Sequence, residues 1–229
     1  MAGKLTINAV QLGDSSTASQ NFVLQTNVDG TAKLSRGNLG ATSQDIFTVD
    51  AAGDLNPEAS AMVLISRQTA VNAAQIDFPA MRNTVFRSYI LKGKNVRPTT
   101  NAVHLLLRVA IAGVYQTSLY KHQNLRWSPA AIGNSGSAND GGLAINSTAE
   151  PLSTTNTHLS FQMNFDDCGN TTAFKTANWV ATYQSSSNAD VSLTAGGYHY
   201  GATAAIDGFR LLMNSGTIAS GVFELYGIK

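Results

Sequence analysis

Charge is scarce in this chain. Lys, Arg, Asp and Glu make up 13% of 229 residues, about half the share of an ordinary soluble domain. The formal net charge of +1 gives no long-range attraction for phosphate, which argues against a nucleic-acid partner. A single cysteine, Cys168, leaves no intrachain disulfide framework, so stability has to come from packing or from a subunit interface. No apolar run approaches the ~18 residues of a membrane-spanning helix, so no membrane insertion is expected. Residues 1–12 carry no charged-then-apolar leader pattern. Any work outside a cell is therefore expected to follow release by another route, such as lysis.

Reactive constellations are also missing. His104, His122, His158 and His199 are widely spaced, without the HxxxH or CxxC pairs that hold zinc. Cys168 lies between Asp166-Asp167 and Gly169-Asn170, a turn composition in which a free thiol reads as incidental. The aspartate pair lacks the alternating oxygen ligands and terminal Glu of a calcium loop. Only three Glu occur, Glu58, Glu150 and Glu224, so a glycosidase-type carboxylate pair has few candidates. No GxSxG motif or Gly-rich phosphate loop occurs, and Gly141-Gly142 and Gly196-Gly197 read as turn glycines. No catalytic residue, metal or cofactor is expected, and the chain is not expected to be an enzyme.

What is present is a large core and a hydroxyl- and amide-rich remainder. Hydrophobic residues reach 43%, and 21 Ser, 22 Thr and 19 Asn stand against 15 basic and 14 acidic side chains. Strand candidates recur about every ten residues from position 59 onward, the spacing of a β-sandwich or barrel. The cleanest is 158–165, where Leu159, Phe161, Met163 and Phe165 alternate with His158, Ser160, Gln162 and Asn164. Period two places the apolar set on one face. Residues 61–68, 75–78, 86–92, 103–111, 115–122, 174–183, 205–213 and 221–228 read similarly, separated by clusters such as Gly133-Asn134-Ser135-Gly136 and Ser185-Ser186-Ser187-Asn188. Residues 66–74 could pass as a short helix, but strand and turn fit better. The expected fold is all-β.

Residues 1–55 differ from the rest. They hold no Trp or Tyr, and their only aromatics are Phe22 and Phe47. Short apolar stretches at 5–12, 22–24 and 46–49 alternate with Asp14-Ser15-Ser16, Asp29-Gly30 and Arg36-Gly37-Asn38. Asp29-Gly30 is a two-residue hairpin signal. Such a segment buries little by itself and is expected to be stabilised by further copies. Two domains follow: a small β module over 1–55 and a β-sandwich over 56–229.

Aromatic side chains are the best candidates for recognition. Tyr198-His199-Tyr200 lies between Gly197 and Gly201, on a tight loop or a strand end, and Trp127 precedes Pro129 near a strand end. Exposed rings beside amides grip sugars by apolar stacking plus hydrogen bonds. The competing reading packs these rings inside the sandwich or between subunits.

Two stretches resemble fibre proteins of tailed bacteriophages. The first runs from Gln11-Leu12-Gly13-Asp14-Ser15 through Asn21-Phe22-Val23-Leu24, Asp29-Gly30-Thr31 and Arg36-Gly37-Asn38 to Gln44-Asp45-Ile46-Phe47-Thr48-Val49-Asp50. It is similar to the N-terminal module of many fibre and virion structural proteins. The second begins at Leu64-Ile65-Ser66-Arg67-Gln68-Thr69-Ala70 and Ile76-Asp77-Phe78. It continues through Ser88-Tyr89-Ile90-Leu91 and Asn95-Val96-Arg97-Pro98 to Ser215-Gly216-Thr217-Ile218-Ala219-Ser220-Gly221 and Leu225-Tyr226-Gly227-Ile228. This series resembles the jelly-roll-like domain that closes such fibres. The resemblance implies a homotrimeric tail or head fibre, assembled in the host cytoplasm, carried on the virion and released on lysis. Leu5, Ile7, Phe22, Leu24 and Phe47 would attach it to other virion proteins of the tail, portal-proximal region or capsid. Trp127, Tyr198, His199 and Tyr200 would contact host surface glycan. The alternatives are a capsid cement or decoration protein and a free carbohydrate-binding module.

Overall fold

The computed structural model describes residues 9–12, 22–26, 32–38, 41–49, 55–57, 62–79, 81, 83–128, 131–149, 151–154, 158–185 and 191–228. It is all-β, and no helix occurs among the described residues. The chain divides into two compact units, Met1–Val63 and Leu64–Lys229, a division eight residues beyond the boundary expected from composition.

The first unit is a five-stranded antiparallel meander of β1 (Ala9–Leu12), β2 (Phe22–Thr26), β3 (Ala32–Asn38), β4 (Ala41–Val49) and β5 (Leu55–Pro57), paired in chain order. β2 and β3 form the hairpin expected around Asp29-Gly30, with Thr26 opposite Ala32; the turn itself lies outside the described residues. Arg36-Gly37-Asn38, read as a separator, instead ends β3 and pairs with β4 across a register shift. Backbone ladder bonds, which any residue except proline can make, outweigh the turn propensity of Gly-Asn here. Val23 and Ser35 are buried, whereas Leu24 is 45% exposed. Leu5 and Ile7 lie outside the described residues.

The second unit is a β-sandwich. Its larger sheet holds, in spatial order, β12 (Ala131–Asp140), β11 (Tyr120–Ser128), β16 (Val191–Tyr200), β15 (Lys175–Gln184), β14 (Leu159–Phe165), β8 (Ser88–Pro98), β18 (Ile218–Ile228) and β6 (Met62–Ala73). The smaller holds β10 (Val114–Tyr115), β9 (Leu105–Ile111), β17 (Gly208–Met213) and β7 (Gln75–Phe78), with β13 (Leu143–Ala144) also on β9. β8 and β9 run antiparallel to β18 and β17 as one long ribbon that leaves one sheet and enters the other. At the corner, Thr99 N donates to Thr217 O and Asn214 N to His104 O, both at 3.0 Å. β6 and β7 follow the ribbon as a third strand. This rolled ribbon is the jelly-roll-like element expected from the sequence.

Alternation builds the core. β14 and β15 bury every second residue, so Phe161, Met163 and Phe165 face inward beside Ala177, Trp179, Ala181 and Tyr183. The facing sheet supplies Leu105, Leu107, Val109, Phe209 and Leu211, all fully buried, and Phe165 and Phe209 meet at 4.4 Å between ring centroids. Each such side chain stabilises the fold by about 1.5–3 kcal/mol relative to exposure.

Several expectations need correction. Residues 115–122 are not one strand: Tyr115 ends a hairpin on β9, Leu119 adopts φ 70°, and β11 starts at Tyr120 in the other sheet. The Gly133-Asn134-Ser135-Gly136 cluster is not a turn but edge strand β12, paired residue by residue with β11. An edge strand packs few side chains, so apolar periodicity is not required there. Gly196-Gly197 likewise lies mid-strand in β16, between β11 and β15.

A charge lies inside this part of the fold. Lys175 is 2% exposed, and its ammonium donates to Asn170 O, to Ala173 O at 2.8 Å and to Thr203 O at 2.9 Å. All three donors are used, which makes burial of the charge tolerable. Lys175→Met should leave three carbonyls without their donor and destabilise the protein by about 2–4 kcal/mol, measured as a lowered urea midpoint at pH 7.

Burial also sets the pH response. It pushes the Cys168 thiol up to about 12 and the Tyr120 and Tyr198 hydroxyls well above their ordinary range. These groups stay neutral in the fold while the unfolded chain ionises near pH 8.5 and 10. The stability they contribute is thus complete below about pH 8.5 and is lost as pH rises through the folded values. Burial lowers the pKa of Lys175, which acts in the opposite sense below its ordinary value but is one group against several. Urea midpoints should fall between pH 8.5 and 11, and Cys168 should resist thiol reagents at pH 8 until the chain unfolds.

Candidate functional site

The same alternation that fills the core decides what the larger sheet shows to water. Outward positions fall in rows across strands: Lys121–His199–Thr176, Gln123–Gly197–Asn178, Leu125–Ala195–Val180 and Trp127–Leu193–Thr182. Asn134 and Ile132 extend the last two rows onto β12, and Asn164, Gln162 and Ser160 extend three of them onto β14. From Gln123 to Trp127 and across to β14, none of these residues carries a formal charge.

The two ends of this face differ. At one end Trp127 is 38%, Leu193 37% and Ile132 75% exposed. At the other, about 20 Å away along six residues of strand, lies an open depression of about 490 Å³ lined by Lys121, Gln123, Thr176, Gly197 and His199. Its floor is low because Gly197 has no side chain, and a Cβ there would meet nothing within 4 Å. Phe174 is half exposed and stands edge-on to the His199 ring, 4.7 Å between centroids. An apolar edge beside amide, hydroxyl and ammonium groups can take a hydroxylated ring, stacking its C–H face and bonding its oxygens.

The four recognition candidates separate. Trp127 and His199 lie on this face, whereas Tyr198 and Tyr200 are 3% and 1% exposed and point into the core. There they pack on Tyr120 with centroids 5.9 and 5.3 Å apart. As inward residues at the end of a central strand they offer no ring to an outside ligand, which is the competing reading of the sequence, with these rings packed inside the sandwich. Gln123, Thr176, Phe174 and Gly197 escaped notice, although the strict alternation of 174–183 already placed Thr176 and Asn178 opposite Trp179. In the first unit, Phe22 is half-buried, Leu24 is exposed, and Phe47 lies in β4 between Leu34 and Pro57. Cys168 is buried in its turn, and no three His, Cys, Asp or Glu converge on a metal-sized site among the described residues.

The neighbouring glycines of β16 should respond oppositely to substitution. A Cβ on Gly196 would lie 2.5 Å from Trp179 Cη2 and 2.7 Å from Gln123 O, so Gly196→Ala should destabilise the protein by about 1–3 kcal/mol. Gly197→Gln should fill the depression and leave the urea midpoint within ~0.5 kcal/mol of the parent.

No family model matches the chain, and no curated protein matches its sequence. Among solved structures, the infectious bursal disease virus VP2 subviral particle aligns over 94% of this chain and 55% of that one, at 10% identity and a TM-score of 0.16. The chain thus spans little more than half of that protein, and a likeness at this TM-score carries no argument.

Proposed function

We propose that this chain is a non-enzymatic virion surface protein of a tailed phage, a short homotrimeric fibre whose sandwich meets host-surface glycan. The supporting observation is the outer face of the larger sheet: uncharged across five strands between the rows of Gln123 and Trp127, aromatic at one end and open at the other, where the glycine-floored depression carries the single ammonium of Lys121. Neutral sugar rings suit such a face, because stacking and amide hydrogen bonds need no ion pair and change little with salt. A single shallow site binds weakly, and three per fibre on several fibres multiply that affinity through avidity. The N-terminal meander, with an exposed Leu24, fits a module completed by partner copies or by the tail, portal-proximal or capsid protein it joins. In this reading the protein is built in the host cytoplasm and leaves with the particle on lysis.

A capsid cement is the second reading, favoured by Ile132, Trp127 and Leu193, an apolar cluster that a shell surface would cover. Immunogold electron microscopy of virions, with antibody raised against residues 64–229, separates the two. Label on tails or projecting fibres, with a native mass of three chains, is expected. An even coat over the capsid would replace the fibre by the cement. A one-chain mass without virion label would leave a free carbohydrate-binding module.

A further inference from the structure

A second concavity lies away from the sheet face, between the turn at 83–87 and the loop at 167–170. It measures about 440 Å³ and is lined by Asn83, Thr84 and Arg87 on one side and by Asp167, Gly169 and Asn170 on the other, within the range of ligand pockets, roughly 300–1,000 Å³. Its walls are fixed. Asn170 Oδ1 accepts from Thr172 N at 2.7 Å, Thr172 Oγ1 at 3.0 Å and Ala173 N at 2.9 Å, while Asn170 Nδ2 donates to Asp167 Oδ2 at 2.8 Å. The buried Lys175 ammonium holds Asn170 O from beneath. Across the cleft, Ile206 N donates to Cys168 O at 2.9 Å and Asn83 Nδ2 donates to Ile206 O at 2.7 Å. The turn, the loop and the 201–207 segment are thereby tied to one another.

This rigid frame presents unused hydrogen-bonding capacity of mixed kind. The bond from Asn83 Nδ2 fixes its amide, and Asn83 Oδ1 is buried without a donor among the described residues. Asp167, at φ 51°, holds Oδ1 4.0 Å from Arg87 Nε, with the two side chains 47% and 81% exposed. A free anion would be repelled by Asp167 and a free cation by Arg87. A vicinal diol satisfies all three: one hydroxyl gives its proton to the Asp167 carboxylate, and its neighbour gives its proton to Asn83 Oδ1 while accepting from the Arg87 guanidinium. We infer that this cleft is a binding site for a neutral saccharide, gripped through a vicinal diol by Arg87, Asp167 and Asn83. The inference stands apart from the virion role and from the sheet face.

Saturation-transfer NMR on the full chain, with glucose, galactose, mannose, rhamnose and N-acetylglucosamine as probes, tests it. At least one sugar should bind at millimolar strength. Arg87→Ala, a change at an exposed side chain, should weaken that binding about tenfold, as should Asp167→Asn. These changes are read in the Gly197→Gln background, which fills the sheet-face depression, and there Thr84→Trp, on the exposed rim, should abolish transfer. Absence of transfer from every sugar would overturn the inference. So would transfer in that background that survives Arg87→Ala and Thr84→Trp, and transfer lost on Gly197→Gln alone would move the sugar to the sheet face.

Discussion

The sandwich depends on aromatic side chains whose polar heads reach across to the backbone of the facing layer. Tyr120 of β11 accepts from Val109 N of β9 at 2.8 Å and donates to Gln116 O at 3.1 Å. Trp179 of β15 donates from Nε1 to Ile145 O at 2.9 Å, just past β13, and Tyr183 accepts from Ser147 N at 3.0 Å. Each ring buries a large apolar area and, through its head, satisfies a backbone group that the 143–149 segment or the sheet corner would leave unpaired. The rings of Tyr120, Trp179, Tyr183, Tyr198 and Tyr200 on β11, β15 and β16 are therefore turned inward and closed off from solvent. Whatever those strands recognise has to be met by their outer face.

The wealth of Ser, Thr and Asn takes on two meanings. Some of it solvates the surface, as composition suggests. Another part is inside: Asn124, Asn146, Ser147, Ser192 and Thr194 are at most 1% exposed. Ser135 Oγ donates to Asn124 Oδ1 at 2.7 Å, Tyr183 and Thr194 share a hydroxyl contact at 3.2 Å, and Asn146 joins Leu105 N to the His104 ring. Connected hydrogen bonds in a low-dielectric interior specify one arrangement of the layers where purely apolar packing would tolerate several. A chain without disulfides gains its single register partly in this way.

The core strands were legible in the sequence because their information is in side chains. In 158–165 and 174–183 the alternation states both the strand and the face. Strands β12 and β16 were not, for different reasons. β12 is an edge whose pairing needs only backbone, so Gly133 to Gly136 shows no apolar period. In β16 the glycine at 196 is there to admit Trp179, a requirement set by a residue distant in sequence but adjacent in the sheet. Tyr198 and Tyr200 are turned inward and His199 outward for the same reason, since a loop exposes neighbours together whereas a strand end sends them to opposite faces. The candidate face is assembled by register alone, as residues 121–127, 174–182 and 191–199 meet only through pairing.

The loop end makes the complementary case, in which one buried cation sets what its neighbours are free to do. An ammonium taken out of water usually draws a carboxylate to it, and Asp166 and Asp167 are close in sequence to Lys175. Here three carbonyl oxygens complete its donors instead. A carbonyl satisfies hydrogen-bonding geometry without cancelling charge, so the ammonium remains a fixed positive centre behind the loop, and the nearby carboxylates are not consumed in holding it. Asp167 is left at the surface, oriented by Asn170 and facing Arg87 at a distance that neither locks the pair nor separates it. Exposed ion pairs of this kind add at most ~1 kcal/mol to stability. The loop's order derives from the lysine beneath it, and its outward groups are thereby available for recognition.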